Sequence, residues 1–558
     1  MMNPKLRPLG STPNSVPLDP RICRFHFLEK NEMIIITIET WRITMLKIVK
    51  TENGLVRGLA GNNARISVFK GIPYAAPPVG RNRWCAPRPA QNWDGIKDAF
   101  SFAPISIQDT PGLGDDIYCR EFHVDSQIEM SEDCLYVNVW TPALSESDNL
   151  PVLVWFFGGG FQWGYPSEME FNGENIAKRG VVVVSVNYRL GPLGFLAHEE
   201  LTKEAPEACT NFGLLDQLAG LMWTERNITA FGGNPKNITI AGQSAGGASV
   251  LSHLTSEKAI GHFQKAIIYS GIIRNPYTTD DFITPQPLKK AQALGKAFFD
   301  YLNVTSLEEA RQLDALVIRD KYAEFAASHP RFSPCIDRHF ITADPFRLFL
   351  AGKHAHVPLL SGNTYDEFPS FIEAPSQEAF IQKARTIFGS KTDAFLAFAQ
   401  AHTKVNNSFY APCRGIELAV KCAFAHNNAD SYYYSFEADI PGSDNPGTFH
   451  SVDLWFFFET LAASFRPYTG RHFDLARQMC NYVTNFIQSG NPNGPDNDGT
   501  PMPEWLPYRT DAQNEMHFTK DGCRPDVQHL EFYDFLIDCM REQNQTIRKQ
   551  DFNPYLSS

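Results

Sequence analysis

Short apolar runs recur along the chain, and their periodicity changes from one to the next. Val181-Val-Val-Val-Ser-Val-Asn-Tyr-Arg189 is apolar on both faces, as a central strand of a parallel sheet has to be. Leu150-Pro-Val-Leu-Val-Trp-Phe-Phe157 reads as a second buried strand, running into Gly158-Gly159-Gly160-Phe161, and Ile238-Thr-Ile-Ala241 as a third. Ile66–Arg81 is a strand that enters a Pro-rich loop, and His356–Phe368 is a strand that ends in a polar one. Between these runs the spacing becomes helical, in Asn211–Trp223 and again in Ala248-Ser-Val-Leu-Ser-His-Leu254. Strands alternating with helices predict an α/β fold: a large, mostly parallel sheet with helices on both faces.

Residues 1–44 stand apart from this pattern. Met1–Pro20 is rich in Pro, Ser and Asn without periodicity, and the apolar core of Glu32-Met-Ile-Ile-Ile-Thr-Ile-Glu39 is too short and too acid-flanked for a signal peptide. From Met45 an alternating strand begins, with a turn at Asn53-Gly54. The expectation is a disordered leader or mis-assigned start over 1–44 and a single domain over 45–558, with a chain beginning at Met45 able to fold by itself.

Composition acts mainly by exclusion. Asp and Glu number 62 against 50 Lys and Arg, a net charge of −12, which argues against nucleic acid or an anionic membrane as partner. No apolar run approaches the length of a membrane-spanning helix. Eleven cysteines without CxxC pairs do not form a disulfide framework, and a reducing, cytoplasmic location is expected. His354-Ala-His356 is not a zinc motif and no other Cys/His spacing fits one, so neither metal nor cofactor is expected.

Candidate chemistry centres on Ile238-Thr-Ile-Ala-Gly-Gln-Ser-Ala-Gly-Gly247. Strand, tight turn through Ser244 and then helix is the context in which Gly-x-Ser-x-Gly becomes a nucleophile elbow. A serine needs a base within reach and an acid to hold that base, and in hydrolases of this architecture the order is Ser, acid, His. Downstream of Ser244 the order admits His402, His426, His450, His472, His517 and His529, with His354 and His356 if the acid lies elsewhere. The residue after the nucleophile, Ala245, and a Gly-rich loop after an earlier strand supply backbone donors to an oxyanion. Gly158-Gly159-Gly160 fills that place. Its competing reading, a phosphate loop, fails because Trp163 stands where the last glycine is required and no Gly-Lys-Ser/Thr follows.

Several long motifs, in order, resemble the type-B carboxylesterase/lipase family from about Val56 to about Trp505. They are Glu132-Asp-Cys-Leu-Tyr-Val-Asn-Val-Trp-Thr-Pro142, Asn187-Tyr-Arg-Leu190, Asn211-Phe-Gly-Leu-Leu-Asp-Gln217, Phe231-Gly-Gly-Asn-Pro235 and the Ser244 elbow. The resemblance implies an α/β-hydrolase fold with loop insertions roofing a gorge, and hydrolysis of a small-molecule carboxylic ester through an acyl-enzyme. It places the acid at Glu367 in Asn363-Thr-Tyr-Asp-Glu367, the base at His450 in Gly447-Thr-Phe-His-Ser-Val-Asp453, and the oxyanion donors at Gly159 and Gly160 beside Ala245. It further implies a supporting network of Gln243, Ser249 and Asp453, in which Gln243 replaces the family's usual glutamate. Phe157 stands where the family commonly has His, and the cysteine that usually pairs with Cys134 is missing from Pro104-Ile-Ser-Ile-Gln108. Lipase and hydroxycinnamoyl esterase are alternatives within the family. A non-catalytic adhesion member is disfavoured because the serine and its partners are all retained.

Overall fold

The structure, a computed structural model, describes residues 22–29, 32–39, 45–277, 284–399, 409–528 and 530–551. It divides into two units, Met1–Met45 and Leu46–Ser558. In the first unit Ile22–Glu29 and Glu32–Glu39 form an antiparallel hairpin, in register from Ile22 opposite Glu39 to Glu29 opposite Glu32. The β-branched run Ile34-Ile-Ile36 of the second strand suits extended backbone.

The second unit is built on an 11-stranded sheet. In chain order its strands are β1 (Leu59–Ala60), β2 (Ser67–Pro73), β3 (Tyr136–Thr141), β4 (Leu150–Phe156), β5 (Val182–Val186), β6 (Gly233–Gln243), β7 (Lys265–Tyr269), β8 (Leu359–Thr364), β9 (Ser431–Glu437), β10 (Asn514–Thr519) and β11 (Gly522–Val527). Their spatial order is β11-β10-β9-β8-β7-β6-β4-β5-β3-β2-β1. From β5 through β4 to β10 every pairing is parallel, and the pairings at both edges are antiparallel. The central strands β4 and β5 are dominated by apolar residues because both of their faces are covered. Val152, Val154 and Phe156 of β4 pack on one face with Leu214, Leu221 and Val250, from α1 (Phe212–Asn227) and α2 (Ala245–Thr255). The alternate residues Leu153 and Trp155 pack on the other face with Met479, Val483 and Phe486 of α3 (Gly470–Ser489).

The hairpin expected after Met45 is present as Ile48–Thr51 paired with Gly54–Arg57, but its turn is Glu52-Asn53, one residue early. It stands outside the large sheet and pairs with Ile96–Asp98. Three of the signature stretches are held by two largely buried ion pairs. Arg189, just after β5, makes a two-pronged contact with Asp216 of α1, at 2.7 Å from both Nε and Nη2. Glu132 is gripped in the same way by Arg83, at 2.6 and 2.7 Å. Paired forks of this kind fix orientation as well as charge, and losing one partner leaves the other buried and uncompensated.

Candidate active site

Ser244 lies between the end of β6 and the start of α2, with φ 55° and ψ −121°. That region is costly for a residue with a side chain, of order 1–3 kcal/mol, and persists only where the surroundings enforce it. Here the Ser244 N–H donates to the Tyr269 carbonyl at 2.9 Å, and its own carbonyl accepts from Ala248 at 2.8 Å. The glycines of the motif are required by close approach: a Cβ on Gly246 would come within 2.1 Å of the Phe156 carbonyl, and one on Gly242 within 2.4 Å of Gly246. The turn therefore lifts the serine side chain off the sheet and aims the N-terminus of α2, with its partial positive charge, at the same spot.

Glu367 follows the C-terminal end of β8. Its side chain is buried, one oxygen accepting from the Thr364 N–H at 3.0 Å and the other meeting Nδ1 of His450. The neighbouring Asp366 points the opposite way, is exposed, and takes the N–H and the hydroxyl of Thr448 at 2.8 Å each. Asp366 thus ties down the loop that carries His450 without touching the imidazole. Phe368 lies against the His450 ring, 4.6 Å between centroids.

Gly159 and Gly160 adopt φ of 101° and 60° just beyond β4. A Cβ on Gly159 would fall 2.2 Å from the Trp163 carbonyl, so only glycine allows this turn. Among the described residues the N–H groups of Gly159, Gly160 and Ala245 have no protein acceptor. Phe157 stacks on Tyr188 at 4.3 Å, and the Tyr188 hydroxyl donates to its carbonyl at 2.7 Å, which fixes the root of the loop through the main chain.

The supporting network expected around His450 is not formed as read. Gln243 does reach the site, its side-chain nitrogen 3.1 Å from Nε2 of His450. Ser249 points elsewhere: it donates to the Ala245 carbonyl at 2.9 Å and accepts from Gln217 of α1 at 3.1 Å. One turn into α2, it faces α1, which covers the same face of the sheet as α2. Asp453 is fully buried, accepts from the Tyr434 hydroxyl at 2.7 Å, and leaves its other oxygen without a protein partner. Burial pushes its carboxyl up to about 7, with the Glu367 charge adding to the shift and the Tyr434 hydroxyl and His450 opposing it. An acid whose folded-state pKa is raised makes the protein less stable as pH rises from the unfolded value near 4 towards 7. Asp453→Asn should therefore raise the melting temperature at pH 8, the gain reaching up to about 4 kcal/mol, and the gain should shrink as pH falls towards 5. Thermal melts of both proteins across that range check it; a constant or reversed difference would contradict it.

Ser244, His450, Gln243 and Gly158–Gly160 line one cavity of about 810 Å³, with Tyr118, Phe122, Trp163, Phe171 and Phe368 in its wall. The stretch 108–123 forms one side of it. Three polar groups in the wall were not found from sequence. His123 lies 3.3 Å from Glu168; burial would lower its imidazolium, but the Glu168 charge and hydrogen bond outweigh this and the net shift is upward. Burial, then the nearby Glu168 charge, push the Glu170 carboxyl well above the usual range. The readable signal was two carboxylates two residues apart in Glu168-Met-Glu170, soon after the glycine loop.

Of the other histidines admitted by order, His402 and His529 lie outside the described residues. His472 caps α3, His517 pairs with Glu437 and Glu515, and His354, stacked on Phe349, lies with His356 away from the cavity. Among the described residues no group of side chains is arranged to hold a metal, and no helix is long and apolar enough to cross a membrane. Cys119 lines the cavity and Cys134 is buried in the core, both as free thiols. Activity should accordingly be indifferent to reductant; a Cys119–Cys134 bridge found by mass spectrometry, with activity lost on reduction, would contradict this.

The sequence model of the carboxylesterase family matches residues 46–410 and 390–535. Para-nitrobenzyl esterase of Bacillus subtilis (strain 168) is 32% identical over 492 residues, spanning 84% of this chain and 94% of that enzyme. Fumonisin B1 esterase of Sphingopyxis macrogoltabida is 32% identical over 435 residues, 75% of this chain and 76% of its own. A solved structure of a PNB esterase superposes with a TM-score of 0.71 at 28% identity, covering 88% of this chain and all (100%) of that one.

Proposed function

This chain belongs to the carboxylesterase family and is a carboxylic ester hydrolase of α/β-hydrolase fold, and on that premise we propose that it works through an acyl-enzyme formed on Ser244. The Ser244 hydroxyl attacks the ester carbonyl while Nε2 of His450 takes its proton. Glu367, at Nδ1, keeps the ring in the tautomer that can accept there and balances the imidazolium that results. The N–H groups of Gly159, Gly160 and Ala245 receive the oxyanion, backbone donors already in place before charge develops. His450 then protonates the leaving alcohol. Water, deprotonated by His450, attacks the acyl group, and collapse of the second tetrahedral intermediate frees the acid and restores Ser244.

The observation that carries this reading is the buried contact of Glu367 with Nδ1 of His450, whose ring lines one cavity with Ser244 and the glycine loop. Cavity size and aromatic walls suit an ester with one sizeable apolar group. Turnover of p-nitrophenyl acetate and longer p-nitrophenyl esters by the purified protein, with methyl ferulate as comparison, tests it. Release no faster than the uncatalysed background across the series would overturn it.

A further inference from the structure

Both nitrogens of the base are occupied in the absence of substrate. Nδ1 meets the Glu367 carboxylate, so that nitrogen carries the proton and Nε2 presents a lone pair, which only a donor can satisfy. The donor in the structure is the side-chain amide of Gln243, 3.1 Å away, while the Ser244 hydroxyl has no partner among the described residues. Packing confines the amide to this place. Its oxygen points towards Gly158, where an added Cβ would sit 2.9 Å from it and 2.7 Å from the Gln243 carbonyl. The bare glycine leaves the room that the amide occupies, and Gln243 itself is buried at the end of β6.

We propose that Gln243 is a positioning residue that latches the base: its amide N–H holds the Nε2 lone pair of His450 until a bound ester brings Ser244 into line and displaces it. This rests on the acyl-enzyme reading of the site and adds a competition to it. The neutral ring accepts from the amide, but the imidazolium formed after proton transfer carries a proton at Nε2 and would meet the amide donor to donor. The latch therefore favours the resting enzyme and opens as the reaction begins. A glutamate at 243 could not play this part, since its carboxylate accepts from the imidazolium and has nothing to donate to the neutral ring. The exchange of one side-chain oxygen for NH₂ reverses which protonation state of the base the neighbour supports.

The test uses diethyl p-nitrophenyl phosphate, a small reagent that requires an activated serine, on the full chain and on variants at 243. Gln243→Met keeps the bulk and removes the donor; it should phosphorylate at Ser244 roughly two- to tenfold faster near neutral pH, the range set by one net hydrogen bond. Gln243→Glu should move the acid limb of the pH–rate profile for p-nitrophenyl acetate to higher pH by about one unit, which loss of packing alone would not do. Should Gln243→Met fail to fold, Gln243→Asn, one methylene too short to reach Nε2, is expected to behave as Met does. Equal phosphorylation rates and superposed pH profiles in folded variants would overturn the latch while leaving the triad standing. Failure of the reagent to label Ser244 in the wild type would instead overturn the acyl-enzyme reading, and the latch with it.

Discussion

Ser244→Ala and His450→Ala are each expected to lower kcat by roughly 10⁵- to 10⁶-fold, and the double variant to be no worse than either single one. The large size follows from the site's construction as one unit. Without the hydroxyl there is no covalent route, and without the imidazole the hydroxyl is too weak an acid to lose its proton at neutral pH. The remaining rate is what the Gly159, Gly160 and Ala245 donors and the cavity provide by binding alone. Equivalence of the double and single variants separates this mechanism from one in which the two residues contribute independently, where the losses would multiply. Steady-state rates on p-nitrophenyl acetate decide it. A single variant that keeps a tenth of the activity would remove that residue from the chemistry.

The second large effect is a contrast between neighbours. Glu367→Gln should cost roughly 10⁴-fold, because an amide neither fixes the Nδ1–H tautomer reliably nor balances the imidazolium. Asp366→Asn should stay within about tenfold of wild type. Successive side chains in extended backbone point to opposite sides, and here the buried one reaches His450 while the exposed one caps Thr448. Asp366 nonetheless anchors the His450 loop through two hydrogen bonds, so its variant is expected to lose some thermal stability even where activity holds. The reverse ranking of activities would transfer the acid's role to Asp366.

Much of this was legible in the chain because each signal had a local physical cause. Doubly covered strands such as Val182–Val186 read as largely apolar runs without alternation, and the elbow needs glycines where a Cβ would strike the Phe156 and Phe157 carbonyls. The Asp366–Glu367 pair is adjacent in sequence, so strand alternation alone says that only one can face the ring. What failed to read were contacts between distant elements. Ser249 was grouped with Gln243 and Asp453 on the resemblance, yet as the fifth residue of α2 it bonds within its own helix and across to Gln217. Gln243 is the last residue of β6 and projects to the opposite side, towards His450. The polar wall of His123, Glu168 and Glu170 combines a short helix's flank with the turn after the glycine loop, and no spacing in the sequence joins them.

The acyl-enzyme would be a covalent ester on Ser244, and the most direct measurement is to catch it. Mixing the enzyme with a p-nitrophenyl ester, quenching with acid on the millisecond scale and digesting the protein should yield the acyl mass on the peptide that contains Ser244. A burst of about one equivalent of p-nitrophenol should accompany it if hydrolysis of the acyl-enzyme is the slower step. The acyl mass should be absent from Ser244→Ala. Ester turnover that proceeds in that variant at the wild-type rate, or an acyl group carried by a different residue in the wild type, would contradict an acyl-enzyme on Ser244.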